Sequence, residues 1–294
     1  MSSPYIQRLR LAAELRALRE DRGLMADELA KLIHYSRTKI SRLENANGRP
    51  DVGDVVRILD ALGMPEDQWS RIVRLATAAS KKGWWDAYGE SMGPRQRLYA
   101  DIESGADTIR EYNDTTIPGL LQTPDFSSAM AEVKRVEGPL SFEPSKMTKA
   151  RQRRQEAVLR QGGPTYTVIL DEVVLRRVNV PVDVMAAQVR YITDLTTSFP
   201  NLNLHILPVD AYIERIPIPQ AAFSLHTFPD PADPAMVMIE TSSDDLPRTG
   251  TREVTQHVMR YQLLSKAVLS SEDSFKCLTE AAERLARTAT GAGG

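Results

Sequence analysis

Over the first eighty residues the apolar positions recur every three or four residues, the spacing of helices that bury one side. In "YIQRLRLAAELRALREDRG" this places Ile6, Leu9, Ala13, Leu15 or Arg16, and Leu18 near one stripe, and Gly23 ends the helix. "ADELAKLIH" turns Leu29, Ala30 and Ile33 inward. "SRTKISRLENANGRP", Ser36 to Pro50, predicts a third helix: Ser36 caps it, Ile40 and Leu43 anchor it, and Gly48 and Pro50 end it. "DVGDVVRILDALG" carries Val52, Val55, Ile58, Leu59 and Leu62 for a fourth. "PEDQWSRIVRLATAASKK" makes a fifth, with Pro65 near its first turn. Residues 1–80 are thus expected to form an all-α, five-helix domain.

The pattern then changes. "KKGWWDAYGESMG", Lys81 to Gly93, has three glycines and aromatic positions too irregular for a helix stripe, so residues 81–98 read as an aromatic linker. Beyond it come strand-like runs: "TIREYN" near Thr108, "TYTVILDEVV" from Thr165, "LNLHILPV" from Leu202, "AAFSLHTF" from Ala221 and "AMVMIET" from Ala235. Helical segments are predicted over Pro124–Glu137, Pro144–Gln161, Val184–Ser198, Thr251–Ser270 and Ser271–Ala289. Strands and helices mix without a regular βαβ alternation, which predicts a larger α+β domain over 99–290 and a frayed "TATGAGG" tail.

Composition narrows the function classes. The chain has 294 residues, 42% hydrophobic and 26% charged, as a folded globular protein has. The formal net charge of −2 excludes a general polyanion binder, so any nucleic-acid surface must be local. A lone cysteine, Cys277, allows no internal disulfide and no cysteine-based zinc site. No apolar run approaches the ~20 residues of a membrane span, and "MSSPYIQRLRLAAELRALRE" has no uninterrupted apolar stretch of the signal-peptide kind. A reducing cytoplasm is the expected compartment.

Within this balance the stretch from Lys31 to Pro50 stands out. It holds Lys31, Arg37, Lys39, Arg42 and Arg49 against the single acid Glu44. A solvated basic helix face would look much the same. Two short helices and a tight turn inside a helical bundle also fit the helix-turn-helix plan, in which the second helix enters the major groove. Arg37, Thr38 and Arg42 would then face base edges, arginine suiting guanine through its two-pronged fork. Ser36, Lys39, Ser41, Asn45, Asn47 and Arg49 would lie toward the phosphates.

The segment "LRALREDRGLMADELAKLIHYSRTKISRLENANGRP" resembles the Xre-type helix-turn-helix family of bacterial regulators, over residues of about 8 to 75. The resemblance implies base contacts for Arg37, Thr38 and Arg42, with Lys39, Asn45 and Arg49 nearer the backbone. Met25 departs from the usual Ser or Thr cap, and Ala26 from a Gln that often touches phosphate, so a weaker second-helix start and one missing backbone contact are expected. Further on, "GWWDAY", "IREYNDTTIPGLLQTPDFSSAM", "RQRRQEAVL" and "ILDEVVLRR" look like the DUF5753 domain that follows Xre-type domains in actinobacterial regulators. Many of those resemble antitoxin-like or developmental regulators with a small DUF397-type protein partner. That resemblance implies a partner-binding or sensing module and names no ligand.

In the larger domain Trp84 and Trp85 would pack between domains or stack a base. "RQRRQE" sets Arg151 and Gln155 one turn apart beside Arg154; a solvated face, an ion-pair network with Glu172, and an anion site are all open readings. Glu172 at the end of an apolar strand calls for a buried polar partner. In "IPGLLQT", Leu120 and Leu121 are expected in the core. His34, His205, His226 and His257 are isolated in sequence, with no metal-ligand spacing, and no GxSxG, HExxH or P-loop pattern occurs. Asp244-Asp245 reads as a loop. The expectation is a cytoplasmic, nucleoid-associated transcriptional regulator with no cofactor or metal. It would bind a double-stranded operator as a homodimer, and its larger domain would hold a small protein or ligand. An antitoxin-like protein that sequesters its partner, and an enzyme merely targeted to DNA, are the competitors.

Overall fold

The computed structural model describes residues 2–136, 138–140, 142–214, 219–241 and 245–291. They fall into two compact units, Met1–Ala87 with Phe228–Pro234, and Tyr88–Thr227 with Ala235–Gly294. The first is all-α and the second α+β.

The helical unit contains α1 (Pro4–Asp21), α2 (Ala26–Leu32), α3 (Arg37–Glu44), α4 (Val52–Ala61) and α5 (Glu66–Ala79). Ser3 opens α1 by accepting the Ile6 amide, and Gly23, at φ +66°, closes it by letting the Leu24 amide reach the Arg19 carbonyl. The buried stripe of α1 runs through Ile6, Leu11, Ala12, Leu15 and Arg19; Ala13, expected inside, is exposed. Met25 supplies no side-chain cap to α2, yet Glu28 accepts the Met25 amide at 2.7 Å, which firms the helix start that Met25 was expected to weaken. Leu29, Ile40, Val55, Leu59, Ile72 and Ala76 share one core.

This unit also includes the loop 228–234. Gln7 donates to both carboxylate oxygens of Asp233, at 2.9 and 2.8 Å. Arg10 pairs with Asp230 at 2.6 Å and with Asp233 at 3.1 Å. Gln7 and Asp233 are buried, so each satisfies a group the other would leave stranded.

The larger unit is built on a six-stranded mixed sheet of order β3-β2-β1-β4-β5-β6. Its strands are β1 (Thr108–Asn113), β2 (Thr165–Asp171), β3 (Leu202–Leu207), β4 (Phe223–Thr227), β5 (Met236–Glu240) and β6 (Asp245–Arg248). β1, β2 and β3 are parallel; β4, β5 and β6 run antiparallel. One face carries Ile109, Val168, Leu170, Leu204 and Ile206 into a core with α10 (Val182–Ser198) and α12 (Ser271–Gly291). The other packs Tyr112, Ile169, Phe223 and Val237 on α11 (Thr251–Leu264). The remaining helices are α6 (Gly93–Gly105), α7 (Pro124–Arg135), α8 (Pro144–Val158) and the short α9 (Val173–Arg176).

Several expectations need correction. The proposed linker 81–98 is not a plain joint: a 3-10 segment spans Trp84–Met92, kinked at Gly89, and α6 starts at Gly93. Glycine and proline at a helix start are compatible with it, which the aromatic irregularity concealed. Asp245 opens β6 instead of lying in a loop; Asp244 lies outside the described residues. α11 stops at Leu264, and helix continues through Thr290 and Gly291 of the expected frayed tail. Glu137, the expected end of the helix from Pro124, and Ala292–Gly294 of that tail lie outside the described residues.

Candidate nucleic-acid interface

Helix α3 is fixed from behind. Ile40 is fully buried, and buried Glu44 accepts from Nε and Nη2 of Arg19 at 2.7 and 2.8 Å. The hydrogen bonds to Glu44 hold the Arg19 guanidinium above its ordinary range against the effect of burial. Arg16 adds bonds to the Glu44 carbonyl and the Asn45 side chain, at 2.7 and 2.8 Å. Ser36 caps the front by accepting the Lys39 amide at 3.2 Å. In the preceding turn His34 takes the left-handed conformation, φ +56°.

With Ile40 and Glu44 locked inward, Arg37, Thr38, Ser41 and Arg42 come out on the opposite flank, all exposed. The side chains of Thr38, Arg42 and Asn47 have no hydrogen-bond or ion-pair partner among the described residues. Arg37 is 74% exposed and only 3.4 Å from the exposed Asp27 carboxylate, a loose pair.

The other predicted contacts are partly occupied. Lys39 donates to Asp54 at 2.7 Å and lies 3.9 Å from the centre of the Tyr35 ring, while Tyr35 also donates to Asp54 at 2.5 Å. Burial works against the Asp54 carboxylate, but Lys39 and Tyr35 hold it below its usual range. Arg49 bonds Asp86 of the 3-10 segment at 2.5 Å. Asn45 spends its amide on the Ser41 carbonyl and hydroxyl, at 2.7 and 3.2 Å, and its oxygen on Arg16, so it finishes the helix and must give up one of these bonds to reach a phosphate. The basic excess counted along Lys31–Pro50 is therefore smaller in space: Asp27, Asp54 and Asp86 come from outside that window to meet Arg37, Lys39 and Arg49.

The two tryptophans meet edge to face, centroids 5.9 Å apart. Trp85 is buried with its ring against Gly83, where a Cβ would come within 2.2 Å of ring carbons. A base cannot stack on it. Trp84 is half-buried.

In the larger unit the "RQRRQE" segment of α8 is not a solvated face. Arg154 is buried and grips Glu103 of α6 at 2.8 and 2.5 Å, with Gln96 as a further partner. Its partner is not Glu172, which instead binds Arg176 and accepts the Val209 amide at 3.1 Å. Gln155 accepts from Tyr191 at 3.1 Å and donates to the Gln122 carbonyl at 3.3 Å. Arg151 donates to the Gln122 side chain and to Ser127. Leu120 and Leu121 are core residues.

Beside these arginines lies a layer of buried polar groups that the sequence reading missed. Glu111 of β1 accepts from the Tyr166 hydroxyl and from Asn113, and burial followed by the charge of Glu240 pushes its carboxyl up to about 7. His226 is not isolated: its Nε2 lies 3.0 Å from the Ser224 hydroxyl, both sealed in β4. Burial and then Arg154 push its imidazole down to about 3. Alternation was the available signal: Glu111 falls on the same face of β1 as Ile109, a charge at a core position. Among the described residues no group of three His, Cys, Asp or Glu side chains could hold a metal ion, and no helix is long and apolar enough to cross a membrane.

Two families match the chain. A helix-turn-helix domain (HTH_31) covers residues 10–72, and the domain of unknown function DUF5753 covers residues 96–280. No curated protein and no solved structure matches it. The helix-turn-helix match takes in α2, α3 and the turn at His34, the parts of a DNA-binding regulator. The chain belongs to the DUF5753 family and carries a helix-turn-helix domain ahead of the family domain.

Proposed function

We propose that this chain is a sequence-specific, Xre-type transcriptional regulator that reads an operator with α3. The observation that carries this reading is the division of that helix. Ile40 and Glu44 are fixed inward, while Arg37, Thr38 and Arg42 stand exposed on the other flank. Arg37 and Arg42 read guanine edges, and Thr38 contacts a base beside them. Ser36, Ser41 and Asn47 reach phosphates. Lys39 and Arg49 do so by exchanging Asp54 and Asp86 for phosphate oxygens, an exchange of one charged partner for another that costs little at a surface. Such a protein works in the cytoplasm, at the nucleoid.

One helix reads only a few base pairs, so we assign a homodimer on a two-fold operator with half-sites about one helical turn apart. The larger unit is the regulatory half, taking a ligand or a small protein of the DUF397 type whose binding changes operator affinity. A tenfold change corresponds to about 1.4 kcal/mol of coupling.

The test selects bound fragments from the source genome with the full-length chain and then measures affinity. Arg37→Ala and Arg42→Ala each lose about 1–3 kcal/mol on the selected operator, whereas Arg49→Ala weakens all sequences evenly. Unchanged operator affinity in both the Arg37 and Arg42 variants removes the reading. Light scattering that finds one chain per operator removes the dimer.

A further inference from the structure

Three arginines come near one another under the helices of the larger unit, and only two are neutralised. Arg154 has Glu103. Arg95 has Glu240 at 2.9 Å and Asp245 at 2.5 Å. Arg151 has no carboxylate within ion-pair distance among the described residues. Its two hydrogen bonds, to the Gln122 amide oxygen and to Ser127 Oγ, both leave from Nη1 and both end on neutral acceptors. Its Nε is sealed from solvent and has no partner among the described residues. Burial, then the neighbouring charges of Arg154 and Arg95, push this guanidinium down to about 10.

A cation in this position is costly, because it gives up water and gains only the more distant charge of Glu240, beyond ion-pair reach. Pinning Gln122 does not require it, since any neutral donor would serve. The arrangement also leaves a particular edge unused. With both bonds on Nη1, the Nε–Nη2 edge still offers two parallel N–H groups, the geometry that takes a carboxylate or phosphate in two bonds. Part of the Arg151 side chain is open to solvent, so an anion can approach it.

We propose that Arg151 is the anchor of an anion site in the larger unit, which takes a small ligand through a carboxylate or phosphate group on its Nε–Nη2 edge. Because Nε is covered, entry of the anion shifts the side chains above it, and Gln122 is tied to the same guanidinium. The site therefore gives a chemical class to the ligand of the regulatory half and rests on that reading of the larger unit.

The test uses the full-length chain without DNA, so its failure leaves the operator reading untouched. Inorganic phosphate and succinate are titrated separately by calorimetry at constant ionic strength. Wild type and the exposed-helix control Lys149→Gln bind at least one of the two saturably, one per chain. Arg151→Gln binds roughly ten- to a hundredfold more weakly. Arg151→Lys, which keeps the charge and loses the fork, falls between. Response to phosphate alone marks a phosphate-bearing ligand, and response to succinate alone a carboxylate. Circular dichroism checks folding; where Arg151→Gln is unfolded, Arg151→Lys decides by its weakened binding. The proposal fails if wild type binds neither anion, or if a folded Arg151 variant binds as tightly as wild type.

Discussion

Arg19 of α1 and Glu44 at the last turn of α3 form a buried, two-pronged ion pair with bonds of 2.7 and 2.8 Å. Glu44→Ala leaves the buried Arg19 guanidinium with only the exposed Glu20 carboxylate at 3.4 Å and the Leu24 carbonyl, at an expected cost of up to about 3–5 kcal/mol. The double variant Arg19→Met/Glu44→Leu recovers most of that. Urea denaturation of the three proteins decides it, and a cost below about 1 kcal/mol for Glu44→Ala would mean that the pair behaves as a surface one.

The turn before α3 holds a second lever. His34 is exposed, its side chain has no partner among the described residues, and its backbone lies at φ +56°. A β-carbon is strained there and glycine is not. His34→Gly is expected to raise stability by up to about 1 kcal/mol, after the extra entropy of glycine in the unfolded chain is counted. The readout is the thermal midpoint, and a lowered midpoint refutes the assignment.

How much of this was legible differs between the two units. Helix α3 was readable because its determinants are local: a cap at Ser36, anchors at Ile40 and Leu43, cations between them. What neutralises those cations was not, since Asp54 and Asp86 approach only through the fold. Arg19 was visible as a charge one turn beyond Leu15, yet nothing in the sequence pairs it with Glu44. In the larger unit five strands were readable from β-branched and alternating runs. β6 was missed because "DLPR" has four residues, two charges and a proline, and becomes a strand only by pairing with β5. The Glu103 partner of Arg154 lies in α6, the helix the aromatic linker reading overlooked.

Stability of the larger unit carries a pH signature from Glu111. Burial, then Glu240, pushes its carboxyl up to about 7, so the folded chain keeps a proton that the unfolded chain loses near pH 4.3. Glu111 thus lowers stability as pH rises between these values, by about 4 kcal/mol in all, with no further change above them. His226, pushed down to about 3, acts in the opposite sense up to about 6.5, so the comparison must be between variants. Glu111→Gln minus wild type, measured by urea denaturation at pH 5 and pH 7.5, isolates the Glu111 contribution: the variant gains on wild type at the higher pH. Parallel profiles refute it.

Asp233 tests the loop bound to α1. Asp233→Ala strands the Gln7 amide and leaves Arg10 with Asp230 and Glu14. The expected loss is about 1–3 kcal/mol, read as a lowered denaturant midpoint. Asp230→Ala, whose carboxylate is half exposed, is expected to cost less. Equal effects would show that burial of Asp233 does not set its worth.

Because residues 228–234 complete the helical unit, that unit is not finished when its five helices leave the ribosome. Roughly 150 further residues must be made first, about 7–30 seconds at ordinary synthesis rates. During that interval Gln7 and Arg10 face water in place of Asp233. Final consolidation of the helix-turn-helix unit thus waits on translation of strands β1 to β4, so a message truncated anywhere before codon 228 yields helices without their last clasp. A nascent chain can hold all five helices long before it holds the protein in which they are fully braced.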